Sequence, residues 1–384
     1  METMAPPSWR MSPPDLDRLV QELRGEVDEV IGPAVDDGVI RLRPIEGADD
    51  LPLHITDDQG PGTYRLVRSD GSSAQRSARA FAHGVGPDSL KALVQPPRTP
   101  VWAMDRAHDG EISVTLSIAP AVRRAVIGVR ACDLAALARL DRTQLDGPFP
   151  DPAYARARAG LVLVAVDCSQ PAATCFCGST GTGPTVEDGG GGADLVLTEI
   201  DEAGEVWYLL RAFTERGRVL AAALELEEAS AAVSEHVEQL RRGVRTSQRS
   251  LRHDAAAVVL ADLAHPRWDD VAERCLTCGN CTAVCPTCFC TDTDDRIDLD
   301  GHTAHRDRVW DTCFSGEYSH LGAGPVRASA RSRYRQWLTH KLGTWHDQFG
   351  ESGCVGCGRC ITWCPVGIDL TVEVDALAAS GAAP

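Results

Sequence analysis

Apolar residues recur at helical spacing near the start of the chain. Between residues 15 and 31 they fall every three or four positions, at Leu16, Leu19, Val20, Leu23, Val27 and Val30. This spacing predicts an amphipathic helix that is capped by Asp15 and ends at Gly32 and Pro33. Residues 34–100 are rich in Gly, Pro and Asp, which predicts short strands and loops.

A strand–helix–strand pattern follows. Two apolar runs, AVIGV at 125–129 and LVLVAV at 161–166, flank the helical pattern DLAALARL at 133–140. This order predicts a βαβ unit with parallel, buried strands. Residues 194–200 and 205–211 flank the turn sequence DEAG and predict a hairpin. Residues 213–262 mix Ala, Leu and Val with charged residues, which predicts helices.

The composition changes near residue 265, where cysteine, tryptophan and arginine become more frequent. We therefore predict a domain boundary near residue 262, within about 10 residues. Residues 1–262 are predicted to form an α/β (or α+β) domain that contains the βαβ unit. Residues 263–384 are predicted to form a mainly α-helical ferredoxin domain with two 4Fe-4S clusters, for the following reason.

Two segments repeat the pattern C-x2-C-G-x-C-x3-C-P. Residues 275–286 read CLTCGNCTAVCP and residues 354–365 read CVGCGRCITWCP. Bacterial two-cluster ferredoxins carry this run, in which three cysteines bind one cluster and the fourth binds the other. The rule assigns one cluster to Cys275, Cys278, Cys281 and Cys364, and the other to Cys354, Cys357, Cys360 and Cys285. Gly279 and Gly358 are expected where the backbone approaches a cluster closely.

Zinc is the alternative occupant of cysteine-rich motifs. A structural zinc site commonly uses two CxxC pairs, whereas each motif here has four cysteines and a trailing proline, and the motif occurs twice. Residues 286–353, between the motifs, are predicted to be mostly helical. Their basic side chains could offset cluster charge, dock a partner or form a solvated helix face; they are Arg327, Arg331, Arg333, Arg335 and Lys341.

Seven further cysteines remain. Cys132 and Cys168 each follow a strand of the predicted βαβ unit, at the sheet edge where α/β folds place ligands. Cys175 and Cys177 follow in a glycine-rich loop, so the four thiols could hold a third cluster or be buried free thiols. Cys288, Cys290 and Cys313 are predicted to pack beside a cluster, although Cys288 or Cys290 could also replace a ligand.

Composition narrows the function. The chain has 384 residues, a net charge of −17 and 15 cysteines. The charge disfavours nucleic acid, and an odd cysteine count without a secretion signal favours cytosolic metal binding over disulfides. No apolar run is long enough for a membrane span. No G-x-G-x-x-G or Walker A loop is present. We therefore expect an electron conductor without a catalytic site of its own. Lysine occurs only at positions 91 and 341, which we interpret as an effect of genome base composition.

The motifs together resemble a known family. The segments GVRACDLAAL (128–137), VDCSQPAATCFCGSTGTGP (166–184), CLTCGNCTAVCPTCFC (275–290), WDTCFSG (310–316) and GCVGCGRCITWCPVGIDL (353–370) are similar to the iron–sulfur β subunit of cytosolic NiFe hydrogenases of the sulfhydrogenase type. They are equally similar to the iron–sulfur subunit of anaerobic sulfite reductase. The resemblance implies a cytoplasmic complex in which a flavoprotein subunit handles NAD(P)H, another subunit carries the terminal metal site, and this chain relays electrons between them.

Other interpretations stay open at this point. The complex is expected to be a NiFe hydrogenase or, alternatively, an anaerobic sulfite reductase. Two alternatives of another class are an iron–sulfur sensor and a zinc-stabilised interaction module. No output domain such as a helix-turn-helix stands out in the sequence, which disfavours the sensor.

Overall fold

The computed structural model describes residues 6–68, 79–117, 122–244 and 249–379. Parts of two predicted regions therefore lie outside the described residues, namely 69–78 of the strand-and-loop region and 245–248 of the helical region. None of the helices in the described ranges is long and apolar enough to cross a membrane.

The described ranges mix helices and strands. The strands are β1 Ser8–Met11, β2 Glu29–Asp36, β3 Val39–Pro44, β4 Ile55–Gly60, β5 Thr63–Arg68, β6 Arg98–Arg106, β7 Ile112–Leu116, β8 Arg124–Val129, β9 Leu161–Val166, β10 Leu195–Glu202, β11 Glu205–Ala212, β12 Thr291–Ile297, β13 Thr303–Trp310, β14 His320–Leu321 and β15 Gly324–Pro325. The α-helices are α1 Pro13–Glu26, α2 Lys91–Val94, α3 Ala131–Gln144, α4 Pro152–Ala159, α5 Glu215–Ala223, α6 Ala231–Gly243, α7 Ala255–Ala261, α8 Arg267–Arg274, α9 Asn280–Ala283, α10 Ala330–Thr339, α11 Trp345–Phe349, α12 Arg359–Thr362 and α13 Leu370–Ala379. A π-helical turn, His340–Thr344, joins α10 to α11.

The largest sheet has seven strands in the order β1-β11-β10-β9-β8-β2-β3. Its central strands β2, β8, β9 and β10 are parallel neighbours, and β1, β11 and β3 pair antiparallel at the two sides. Helices α3 and α4 connect the parallel strands β8 and β9. Every residue of β9 is buried, because apolar residues pack on both faces of the sheet.

The predicted helix over 15–31 is wrong at its C-terminal end. Helix α1 ends at Glu26, and β2 begins at Glu29 and runs through Gly32 and Pro33. Parallel pairing of β2 with β8 overrides the local helical spacing, because Val30 and Ile31 are buried in the sheet. The N-cap is Ser12, and Asp15 occupies the third helical position of a capping box.

The prediction of mostly helices between the cysteine motifs is also wrong for the first part of that segment. β12 and β13 form an antiparallel hairpin there, and β13 continues onto β6 and β7 in a four-stranded sheet. Alternating charges stabilise this hairpin, since Arg306 pairs with Asp295 at 2.6 Å across the strands. The sheet joins strands from both sides of residue 262, where the domain boundary stays a prediction.

Candidate metal centres

The two cysteine motifs fold into equivalent loops. Thr277 and Gly356 occupy matching positions with φ of 51° and 61°, and Gly279 and Gly358 both have φ of 76°. The two glycines are the N-caps of α9 and α12, which carry the third cysteine of each motif. The backbone N–H of Thr277 donates to the sulfur of Cys275 at 3.5 Å. The N–H of Gly356 donates in the same way to its own motif's first cysteine, at 3.4 Å. Each loop therefore presents its thiols in the same way.

The first group of thiols combines cysteines from both motifs. The Cys275 thiol interacts with those of Cys278 and Cys364, and the Cys281 thiol also interacts with Cys275 and Cys364. These four cysteines line one cavity. The sulfur of Cys364 accepts a hydrogen bond from the N–H of Ile368 at 3.3 Å. The fourth cysteine of the second motif therefore lies with the first three cysteines of the first motif.

The second group mirrors the first. The Cys354 thiol interacts with those of Cys357 and Cys285, and the Cys360 thiol interacts with all three. Burial raises the pKa of Cys354 to about 12 and also raises the pKa of Cys357 and Cys360. Free thiols with such pKa values stay protonated at neutral pH, so a metal that binds these three cysteines would displace their protons.

Buried donors around these thiols lack an acceptor. The side chains of Tyr334 and Trp337 line the cavity of the first group. Their hydroxyl and indole N–H are buried, and neither has a hydrogen-bond partner among the described residues. An unsatisfied buried donor costs about 1–3 kcal/mol. Four thiols surrounded by free donors fit a 4Fe-4S cluster, because its sulfur atoms accept hydrogen bonds.

The glycines of the second motif meet protein rather than open space. A Cβ on Gly358 would lie 2.5 Å from the carbonyl oxygen of Thr174, and one on Gly356 would lie 2.6 Å from the backbone nitrogen of Cys177. For Gly358, the predicted reason, close approach to a cluster, is therefore replaced by close packing against the 174–177 loop. A Cβ on Gly279 would lie 3.2 Å from the methyl carbon of the Thr312 side chain.

The structure brings the four N-terminal cysteines together beside the second motif. Cys132 is the second residue of α3, directly after β8, and Cys168 follows β9. The Cys175 thiol interacts with Cys177 and Cys168, and the Cys132 thiol interacts with Cys177. Cys357 of the second group packs against Cys132 and Cys177. The thiols of the predicted third site therefore converge, and they adjoin the second group.

The remaining cysteines share a separate cavity. Cys288, Cys290 and Cys313 line it together with Trp337, which also borders the first group. Trp345, which follows the π-helical turn, is fully buried. The basic side chains after residue 323 are mostly bound to backbone carbonyls; for example, Arg333 donates to Phe314 O at 3.1 Å.

Sequence reasoning did not single out Arg359 or Lys91, although it named Lys341 among the side chains that could offset cluster charge. Arg359, inside the second motif, is buried and pairs with Asp133 of α3 at 2.8 Å. Both lysines of the chain are buried too, and each interacts with the thiols of Cys285 and Cys288. The rarity of lysine was the available signal.

Comparison with known proteins agrees with this arrangement. The family model described as "4Fe-4S dicluster domain" matches residues 274–368. The chain is 32% identical over 263 residues to sulfhydrogenase 2 subunit beta of Pyrococcus furiosus, a match that covers 65% of this chain and 72% of that protein. The resemblance drawn from the sequence motifs is thus confirmed. The chain belongs to the family of sulfhydrogenase β subunits and is an iron–sulfur protein with a 4Fe-4S dicluster domain.

Proposed function

We propose that this chain relays single electrons through 4Fe-4S clusters inside a hydrogenase complex. The observation that carries the proposal is the exchange of cysteines between the two motifs, which forms two thiol groups that share one core. A bound 4Fe-4S cluster accepts and releases one electron at a time. Two such centres in one core suit electron transfer, since no substrate has to reach them.

The ligands follow from the two groups. Cys275, Cys278, Cys281 and Cys364 would hold the first cluster. Cys354, Cys357, Cys360 and Cys285 would hold the second. Tyr334 would separate the two clusters, because its ring lies near thiols of both groups, Cys281 and Cys360. The same packing is expected to exclude water between the centres.

A third cluster would extend the route into the N-terminal region. Its proposed ligands are Cys132, Cys168, Cys175 and Cys177. Buried positive charge supports it: the guanidinium of Arg130 donates to the carbonyls of Phe81 and His83, both at 2.9 Å, and lies beside the Cys168 thiol. The buried carboxylate of Glu199 also interacts with Arg130, and cluster-bound thiolates would add an anion directly beside the guanidinium.

The surface offers an exit at the first centre. Cys278 is exposed, and Leu276 and Val366 beside it are exposed apolar side chains on the rim of the same cavity. A redox partner that covers this rim would come close to the first cluster. The order of centres would then run from the N-terminal thiols through the second cluster to the first cluster and out of the chain.

The proposed partners of this chain are other subunits of a hydrogenase complex. That protein belongs to a sulfhydrogenase, so we expect a flavoprotein subunit that handles NAD(P)H on one side of this chain and the hydrogenase metal site on the other. All fifteen cysteines are free of disulfides, which suits the reducing cytoplasm. An anaerobic sulfite reductase complex is the alternative destination for the electrons.

Co-expression with the proposed flavoprotein and terminal subunits tests the relay. NADH or NADPH should reduce the clusters of the assembled complex, as seen by loss of visible absorbance and by EPR. Variant C278S should abolish hydrogen-dependent reduction of NAD(P) while the isolated flavoprotein keeps its diaphorase activity. Full hydrogen-linked activity in a variant that has lost the first cluster would contradict the proposal. Sulfite reduction in place of hydrogen turnover would reassign the complex.

A further inference from the structure

A large cavity lies next to the second centre and contains three thiols that the relay does not use. Its volume is about 440 Å³, and its lining includes Cys288, Cys290 and Cys313. All other cysteines of the chain, which are all described, lie in the three groups above. Within the described ranges no three Cys, His, Asp or Glu side chains converge on a point where one metal ion could bind. The three thiols instead line different parts of the cavity wall.

The backbone holds these thiols in place. Cys290 directly precedes β12 and Cys313 follows β13, and the strand register pairs Thr291 with Trp310. The N–H of Asp311 also donates to the carbonyl oxygen of Cys290 at 3.0 Å. The hairpin therefore fixes the positions of two of the three thiols relative to each other. The third, Cys288, is in hydrogen-bonding contact with Cys285, a proposed ligand of the second cluster.

Buried positive charge faces the same thiols. The chain has only two lysines, Lys91 and Lys341. Both are buried, and both interact with the thiols of Cys288 and Cys290. No carboxylate within the described ranges forms an ion pair with either lysine. A buried ammonium without an anion is unfavourable, so this side of the cavity, where Cys285 also faces both lysines, would stabilise sulfur ligands bound to a metal.

The helical segment that covers the cavity is irregular. Lys341 lies in the π-helical turn His340–Thr344, where its ammonium donates to the carbonyl oxygen and hydroxyl of Thr287 at 2.9 and 2.8 Å. The Thr287 hydroxyl in turn donates to Gly353 O at 2.7 Å. Single π-helical turns occur frequently at functional sites. This one directs a cation toward the sulfur atoms and connects the cavity to the second motif.

We propose that Cys288, Cys290 and Cys313 ligate a further iron–sulfur cluster in this cavity. Three thiolates bind three irons of a cubane and leave the fourth to another ligand. Groups that could supply an oxygen or nitrogen also line the cavity, namely Asp311, Tyr318 and His340. Contact between Cys288 and Cys285 places this cluster beside the second one, as a side branch of the relay. An iron without a thiolate ligand can also bind a small molecule.

The test compares metal content between variants of the full chain, reconstituted anaerobically with iron and sulfide. Variant C288A/C290A/C313A should bind about four fewer iron atoms and correspondingly less acid-labile sulfide than the unaltered chain. Variant Q348A is the matched control, because Gln348 lines the same cavity without offering a thiol. It should keep all of its iron. The EPR signals of the two dicluster centres should persist in both variants.

A single substitution covers the case in which the triple variant does not fold. Cys313 interacts with Cys290 and with Cys281 of the first group, but with no proposed ligand of the second cluster. Variant C313A should therefore lose the same iron and sulfide and leave the second centre intact. Unchanged iron in a folded C313A or triple variant overturns the proposal. Loss of one zinc and no iron also overturns it. Because these readouts do not use the dicluster ligands, failure here leaves the proposed relay untouched.

Discussion

If the two motifs exchange their fourth cysteines, pairs of cysteine substitutions should remove either one cluster or two, depending on which cysteines are paired. In the proposed assignment, the first centre takes Cys364 from the second motif, and the second centre takes Cys285 from the first. Variants C278S and C364S should each lose the first cluster, which is about four iron atoms. The double variant C278S/C364S should lose no more than either single variant, because both changes affect one centre. Variant C278S/C285S should lose about eight iron atoms, because it affects both centres.

The assay is iron and acid-labile sulfide per chain after anaerobic reconstitution, with EPR of the dithionite-reduced protein. The two double variants are matched, since each removes two thiols and each contains C278S. Circular dichroism and gel filtration confirm that the compared variants are folded. If ligands stayed within their own motif, the order would reverse, so that C278S/C285S would lose one cluster and C278S/C364S would lose two. That reversal would refute the ligand assignment.

Three other predictions test single interactions. Arg359→Ala should lower the free energy of unfolding by about 3–5 kcal/mol in anaerobic urea unfolding, because it leaves the buried carboxylate of Asp133 unpaired. The control Arg142→Ala removes an exposed ion pair of the same interface, with Glu351 at 2.8 Å, and should cost at most about 1 kcal/mol. Equal costs for the two variants would contradict the stabilising role of the buried pair. Lys341→Met removes a buried cation beside the second centre and should lower that centre's reduction potential by on the order of 100 mV; an unchanged potential in an EPR-monitored redox titration would argue against the electrostatic role. Cys177→Ser should remove a third cluster, about four iron atoms, and leave the two dicluster signals; full iron would assign the N-terminal thiols to the protein core.

The cluster-binding cysteine motifs were more readily predicted from the sequence than the arrangement of helices and strands was. The spacing of the motif cysteines encodes their geometry locally, since each loop needs only a few residues and two left-handed positions, such as Thr277 and Gly279. Apolar runs also indicated β8 and β9, because a strand buried on both faces has no polar positions. Both signals depend on neighbouring residues alone.

The features that the sequence did not reveal depend on distant partners. Residues after Glu26 continue the helical spacing but pair with β8, which lies about a hundred residues further along the chain. The β12–β13 hairpin is charged rather than apolar, and it is stabilised by β6. The role of the lysines depends on burial next to Cys285, and no local pattern marks it. Each case shows a tertiary contact deciding the structure against local preference.

The iron, acid-labile sulfide and zinc content of the chain purified without oxygen would show whether its cysteine motifs hold iron–sulfur clusters. We expect at least about eight iron atoms per chain, a nearly equal amount of sulfide and no stoichiometric zinc. Each further cluster proposed here would add about four of each. One or two zinc ions per chain with no labile sulfide would rule out the electron relay, because the cysteine motifs would then hold a structural metal and could not carry electrons.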